Sequence, residues 1–241
     1  MAVSDWGVVH DAGGPLNPGQ GCDPDPIFGH GAEPSGDGTE VFLAYWDSGF
    51  VALDVTNPAE PVLQGHTEPV LQGHTVYEPN EDGDAHSSNF DDARQLLFTA
   101  DEDFCPNSGP GIERGWGYLR VFDYSDRANP VQIGEYRTPN SIATGNPASG
   151  DYTVHNPFVV GTKVYISWYS DGIRVVDASD PTNPVETAFF VPPAGRNPVK
   201  PSQRFVLSQT PQVWGVVYDA ERNLILGSDM NTGLWILRET S

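Results

Sequence analysis

Lysine is nearly absent from this chain of 241 residues. Lys163 and Lys200 stand beside ten arginines, and these 12 basic side chains face 33 acidic ones, for a formal net charge of −21. The acidic excess is spread along the sequence, with no basic patch to offset it. Phosphate backbones and anionic lipid headgroups are therefore repelled, which disfavours nucleic-acid and membrane-surface partners. It reads as a solvated acidic surface. Because so many uncompensated charges repel one another on a compact body, the unfolding temperature is expected to rise with added sodium chloride. Melting curves that stay flat or fall from low to high salt would contradict this.

Cysteine is scarce as well. Cys22 and Cys105 both lie in Gly/Pro/Asp-rich sequence and form no metal motif, and a disulfide between them is open only in an oxidising compartment. No run of 18 apolar residues exists, and Met1 to Trp6 lacks the basic and apolar regions of a signal peptide. The expectation is a soluble chain without membrane insertion, any export signal lying outside these boundaries. Catalytic signatures are missing too: there is no Gly-x-Ser-x-Gly elbow, His-Glu-x-x-His, Cys-x-x-Cys or Walker loop. Ser87, Ser88 and Ser167 have no visible third partner for a triad.

What is abundant is turn chemistry. The 26 Gly and 22 Pro are spread evenly among apolar runs, and a hydrophobic content of 38% supplies a core. That combination points to an all-β chain rather than to disorder.

One pattern recurs. Its clearest copy runs from His155 to Phe190, with four short β-prone runs: Phe158 to Val160, Val164 to Trp168, Ile173 to Val176 and Val185 to Phe190. A second copy holds Val41 to Asp54 and closes at Pro61-Val62. A third runs from His86 through Leu96 to Asp103 and Leu119 to Asp123, closing at Pro130-Val131. The last holds Val213 to Asp219, Leu224 to Gly233 and Leu234 to Arg238, and stops after its third strand. Its opening echoes Asp5 to Asp11, so the first copy is expected to begin near residue 5.

Gly49, Gly172 and Gly233 precede the third runs, where a hairpin needs positive φ. Asp54, Asp123 and Asp177 lie two residues before Thr56, Ser125 and Ser179, a spacing that lets side-chain oxygens bond turn amides. Pro61, Pro130 and Pro184 fix φ at the entry to the fourth run. All of these are read as structural residues.

A four-stranded unit repeated with loops of unequal length is the signature of a β-propeller blade. The segments Ile173 to Val185, Leu119 to Asp123 and Phe50 to Pro58 resemble LVIVD repeats. That resemblance implies a propeller of antiparallel blades and a secreted or surface location, and it assigns no activity. It covers nearly the whole chain as one domain, 1–241, with repeats at about 5–67, 84–138, 152–191 and 211–238 and insertions at 68–83, 104–116 and 192–210. The ring is a fragment, unusually small, or completed by a partner chain. A verbatim duplication, Glu60 to Thr67 and Glu68 to Thr75, adds an extra loop or edge strand.

Chemistry is sought first where inner strands start, because these strands line the axial channel. Aligned repeats put Trp6, His86, His155 and Trp214 in one column, with His10 as the substitute for Trp6 if the register slips. The two histidines either hydrogen-bond to neighbouring blades or ligate a metal as neutral imidazoles. Carboxylates at Asp82 and Asp84, and at Asp101, Glu102 and Asp103, are candidate ligands for calcium or another divalent ion. Tyr45, Trp46, Trp168 and Tyr169 either pack between blades or line a ligand face. The expected function is a non-enzymatic scaffold or recognition module at the cell surface or outside it, with a protein or carbohydrate partner. Two alternatives stand: a metal-dependent, lactonase-like hydrolase working in the channel, and a structural subunit of a larger assembly.

Overall fold

A computed structural model describes residues 28–46, 49–63, 84–104, 115–142, 150–195 and 210–240. Cys22, Cys105, Asp82 and most of the duplicated octapeptide lie outside them. The described residues form four antiparallel sheets and no helix, so none contains a helix long and apolar enough to cross a membrane. Blade one contains β1 (Gly31–Pro34), β2 (Glu40–Ala44), β3 (Phe50–Asp54) and β4 (Val62–Leu63). Blade two contains β5 (Ala85–Asp91), β6 (Leu96–Asp101), β7 (Leu119–Asp123) and β8 (Val131–Tyr136). Blade three contains β9 (Asn156–Val160), β10 (Lys163–Trp168), β11 (Gly172–Asp177) and β12 (Val185–Phe190). Blade four contains β13 (Val213–Asp219), β14 (Leu224–Asp229) and β15 (Gly233–Leu237).

Strand alternation explains how blades stack. Along β6, Leu96, Phe98 and Ala100 meet Val164, Ile166 and Trp168 of blade three, whereas Leu97 turns the other way to join Phe42, Phe50 and Ala52 of blade one. Along β10, Tyr165 likewise faces blade four, with Val213, Val216 and Ile225. Central strands are thus apolar on both faces, each buried large side chain contributing roughly 1.5–3 kcal/mol. Arg94 fastens the rim between two blades: it pairs with Asp91 and donates to the carbonyls of Ala178 and Gly161. Arg127 does the same between blades one and two through Glu40.

The repeated turn residues occupy equivalent places. Gly49 just ahead of β3, and Gly172 and Gly233 as the first residues of β11 and β15, have φ of +77°, +81° and +87°. The Asp54, Asp123 and Asp177 carboxylates accept the amides of Thr56, Ser125 and Ser179 at 2.8, 2.9 and 2.8 Å, and hydrogen bonds from the hydroxyls and amides of these residues hold all three below the usual carboxylate range. At Gly172 an added Cβ would also lie 2.2 Å from the Phe190 carbonyl oxygen, whereas at Gly233 it would meet nothing within 4 Å. Gly233→Ala should therefore cost only the left-handed penalty of about 1–2 kcal/mol. Gly172→Ala should cost about 1–3 kcal/mol more for the clash. Urea unfolding that ranks the two variants equally would contradict this.

Candidate metal centre

β1, β5, β9 and β13 pack successively on one another and are the inner strands. β5 and β13 begin with the same irregularity. Ala85 pairs with Asp101 and Ser87 with Ala100, leaving His86 as the extra residue of a bulge; Val213 and Gly215 flank Trp214 in the same way. His155 donates its amide to Ser167, the partner of Asn156, and His30 donates to Ala44, the partner of Gly31. A bulge re-aims the side chain it carries. Bulges place His86 and Trp214, and the residues just before β1 and β9 place His30 and His155, in one row with ring centroids 4.0, 4.2 and 4.2 Å apart.

A second set of equivalent positions lies just past the second strands: Trp46, Glu102, Tyr169 and Met230. Trp46 and Tyr169 form single bridges to Ala85 and Val213 of the following blade. Both take left-handed backbone, φ +47° and +25°. Glu102 is the carboxylate of this set. Its oxygens lie 3.3 Å from His86 Nε2 and 3.7 Å from His155 Nε2, and the Tyr169 hydroxyl donates to it. His86, Glu102 and His155 are 2%, 5% and 2% exposed.

Hydrogen bonding prepares the imidazoles. His86 Nδ1–H donates to the His155 carbonyl at 3.2 Å, and His30 Nδ1–H to the His86 carbonyl at 3.1 Å. The first bond fixes the His86 tautomer and leaves a lone pair on Nε2, as an oriented metal ligand requires. The Nε2 atoms of both His86 and His155 have no hydrogen-bond partner. Burial depresses His86 to about 2, helped by repulsion from His155 and His30, and depresses His155 to about 3. The same burial raises Glu102 to about 7, against the Tyr169 hydrogen bond that lowers it. At neutral pH the imidazoles are therefore uncharged donors.

These donors fit a transition-metal ion. Ligands about 2.0–2.1 Å from a tetrahedral centre lie about 3.3–3.4 Å from each other, and each imidazole Nε2 lies near that distance from one of the two Glu102 oxygens, His86 at 3.3 Å from Oε2 and His155 at 3.7 Å from Oε1. All three donor atoms fall within 4.8 Å, the one such grouping among the described residues. Two imidazoles and a carboxylate suit a zinc-like ion better than calcium, which prefers six to eight oxygens.

The structure thus brings together two sets of candidates that the sequence kept apart: the His86 and His155 column and Glu102 of the acidic cluster. Asp101 instead pairs with Arg120, Asp103 is buried, and the Asp84 carbonyl accepts the Glu102 amide. Trp214 ends the imidazole row. Trp6 and His10 lie outside the described residues, and the blade-one place in the row belongs to His30. A spacing signal for it exists: His30, His86 and Trp214 each stand fourteen positions before the partner of the next residue in their strand, at 44, 100 and 228. Of the four aromatics ahead of the hairpins, Trp168 is buried between blades, while Tyr169 and Trp46 reach the axis.

Antiparallel sheets of three or four strands arranged around a row of inner strands define a β-propeller. The LVIVD repeat model matches residues 38–68 and 158–190, so the chain carries LVIVD repeats in blades one and three of a β-propeller fold. Similar solved structures include the computationally designed Ika4 protein, at 8% identity and TM-score 0.51 over 92% of this chain and 97% of that one. The periplasmic gluconolactonase PpgL of Pseudomonas aeruginosa aligns at 13% identity and TM-score 0.52, over 87% of this chain and 52% of that one. The Cps50 β-propeller domain of Myceliophteria thermophila aligns at 14% identity and TM-score 0.52, over 90% and 53%. The chain thus spans about half the length of the latter two, and these likenesses concern the fold. No curated protein matches the chain in sequence.

Proposed function

We propose that the chain is a non-enzymatic recognition propeller, acting at the cell surface or outside the cell, whose axial end is tied together by one divalent transition-metal ion. The observation that carries this reading is the meeting of three buried donors from two blades, two of them imidazoles with unpartnered Nε2 atoms. An ion there would bridge His86 and Glu102 of blade two to His155 of blade three. It would replace the proton that Glu102 holds in its buried setting. Enclosure of the donors, at 2–5% exposure, favours a structural role over turnover.

A second reading, a metal-dependent lactone or ester hydrolase, draws on the three-ligand set, which leaves one coordination position for water, and on the lactonase among the similar folds. Zinc-loaded protein assayed against lactones and activated esters separates the two. The scaffold reading expects no turnover above free zinc. Turnover that Glu102→Gln removes would overturn it.

A further inference from the structure

Four large aromatic side chains among the described residues are strongly exposed: Phe28, Phe104, Phe189 and Trp214. Phe189 lies on the outer strand β12. The other three converge on the axial end just described. Phe28 stacks on Trp46 with centroids 4.9 Å apart, Phe104 sets its edge against Tyr169 at 5.3 Å, and Trp214 lies on His155 at 4.2 Å. Exposed at 43%, 43% and 45%, each keeps free ring surface while a second ring holds it in place. Rings held this way lose little freedom on binding.

We propose that this rim binds a neutral saccharide of one to three pyranose rings, the C–H faces resting on Trp214, Phe28 and Phe104. Three considerations select that ligand. The formal charge of −21 repels phosphorylated or otherwise anionic compounds. An exposed ring offers less than half of the roughly 150–250 Å² of an aromatic side chain, so three together fall well below the roughly 800 Å² per partner of a stable protein interface. A sugar is of the right size. Ring faces carry negative quadrupole charge and meet polarised C–H bonds favourably. An organic cation would also suit ring faces, but a divalent ion on two neutral imidazoles and one carboxylate leaves the floor with a net positive charge.

The proposal rests on the recognition reading, and on its metal only for excluding the organic cation. The test titrates the zinc-loaded full chain with neutral trisaccharides (maltotriose, cellotriose, mannotriose, xylotriose and chitotriose) by calorimetry, with tetramethylammonium and glucose 6-phosphate as comparison probes. At least one trisaccharide is expected to bind with a Kd of about 0.1–1 mM. Trp214→Ala and Phe28→Ala should each weaken it about tenfold or more, with metal content and melting temperature checked in both. Absence of any trisaccharide binding up to about 10 mM, preference for tetramethylammonium or the phosphate, or binding that both variants leave unchanged would overturn the proposal. Sugar binding by a protein that takes up no metal would leave the rim assignment standing and sink the metal.

Discussion

Saturating zinc is expected to raise the unfolding temperature by about 5–11 °C, and the His86→Ala, His155→Ala double variant should show no such rise. A ligand that binds only the folded state at a hundred times its Kd stabilises by about 2.7 kcal/mol. For a chain of this size each kcal/mol moves the midpoint by about 2–4 °C. The donors come from two blades and meet only when these stack, so the unfolded chain offers no equivalent site. Glu102→Gln keeps the shape but loses the anionic ligand, and should show a smaller rise at the same zinc concentration. Differential scanning calorimetry with and without zinc checks this, and an equal rise in the double variant would place the ion elsewhere.

Acid should produce the second large effect, in the metal-free protein. His86 and His155 have folded pKa values of about 2 and 3, below the ordinary 6.5, so the stability they contribute is present above 6.5 and is lost as pH falls. Glu102 is raised from 4.5 to about 7, so its contribution is present below 4.5 and is lost as pH rises towards 7. Between pH 6.5 and 4.5 two groups therefore favour the higher pH and one favours the lower. Each proton bound differently by the two states contributes about 1.4 kcal/mol per pH unit. The three groups together should therefore cost the stability of about one net proton per unit of acidification. Glu102→Gln should steepen the loss about twofold, and the double histidine variant should reverse its sign relative to the parent. Because surface carboxylates act alike in all three proteins, the differences between them are the readout. Parallel stability profiles from urea unfolding would contradict the buried, neutral imidazoles.

Much of the blade was legible because its signals are local. Gly172 and Asp177 each act through hydrogen bonds and φ values within a few residues, and those requirements print directly into sequence as Asp-Gly and Asp-x-Ser. Pro184 before Val185 is equally local. The centre was legible only in pieces, because its assembly depends on register between blades. His86 and His155 could be aligned as a column, yet nothing near Glu102 distinguishes it from Asp101 and Asp103. Only the equivalence of Glu102 with Trp46 and Tyr169, set by strand pairing, turns it to the axis. His30 was missed because the echo of the last blade at Asp5 to Asp11 drew the first copy too early, while β1 at Gly31–Pro34 has too few apolar residues to announce itself.

The most direct test of the account is a cobalt titration of the metal-free chain followed by visible absorption, with elemental analysis of the same samples. One tightly held ion per chain is predicted, with the intense d–d bands of a four-coordinate site carrying nitrogen and oxygen donors. Neither ion nor bands should survive in the His86→Ala, His155→Ala variant. A parent protein that takes up no cobalt, or a double variant that takes it up with the same stoichiometry and spectrum, would contradict the axial metal centre.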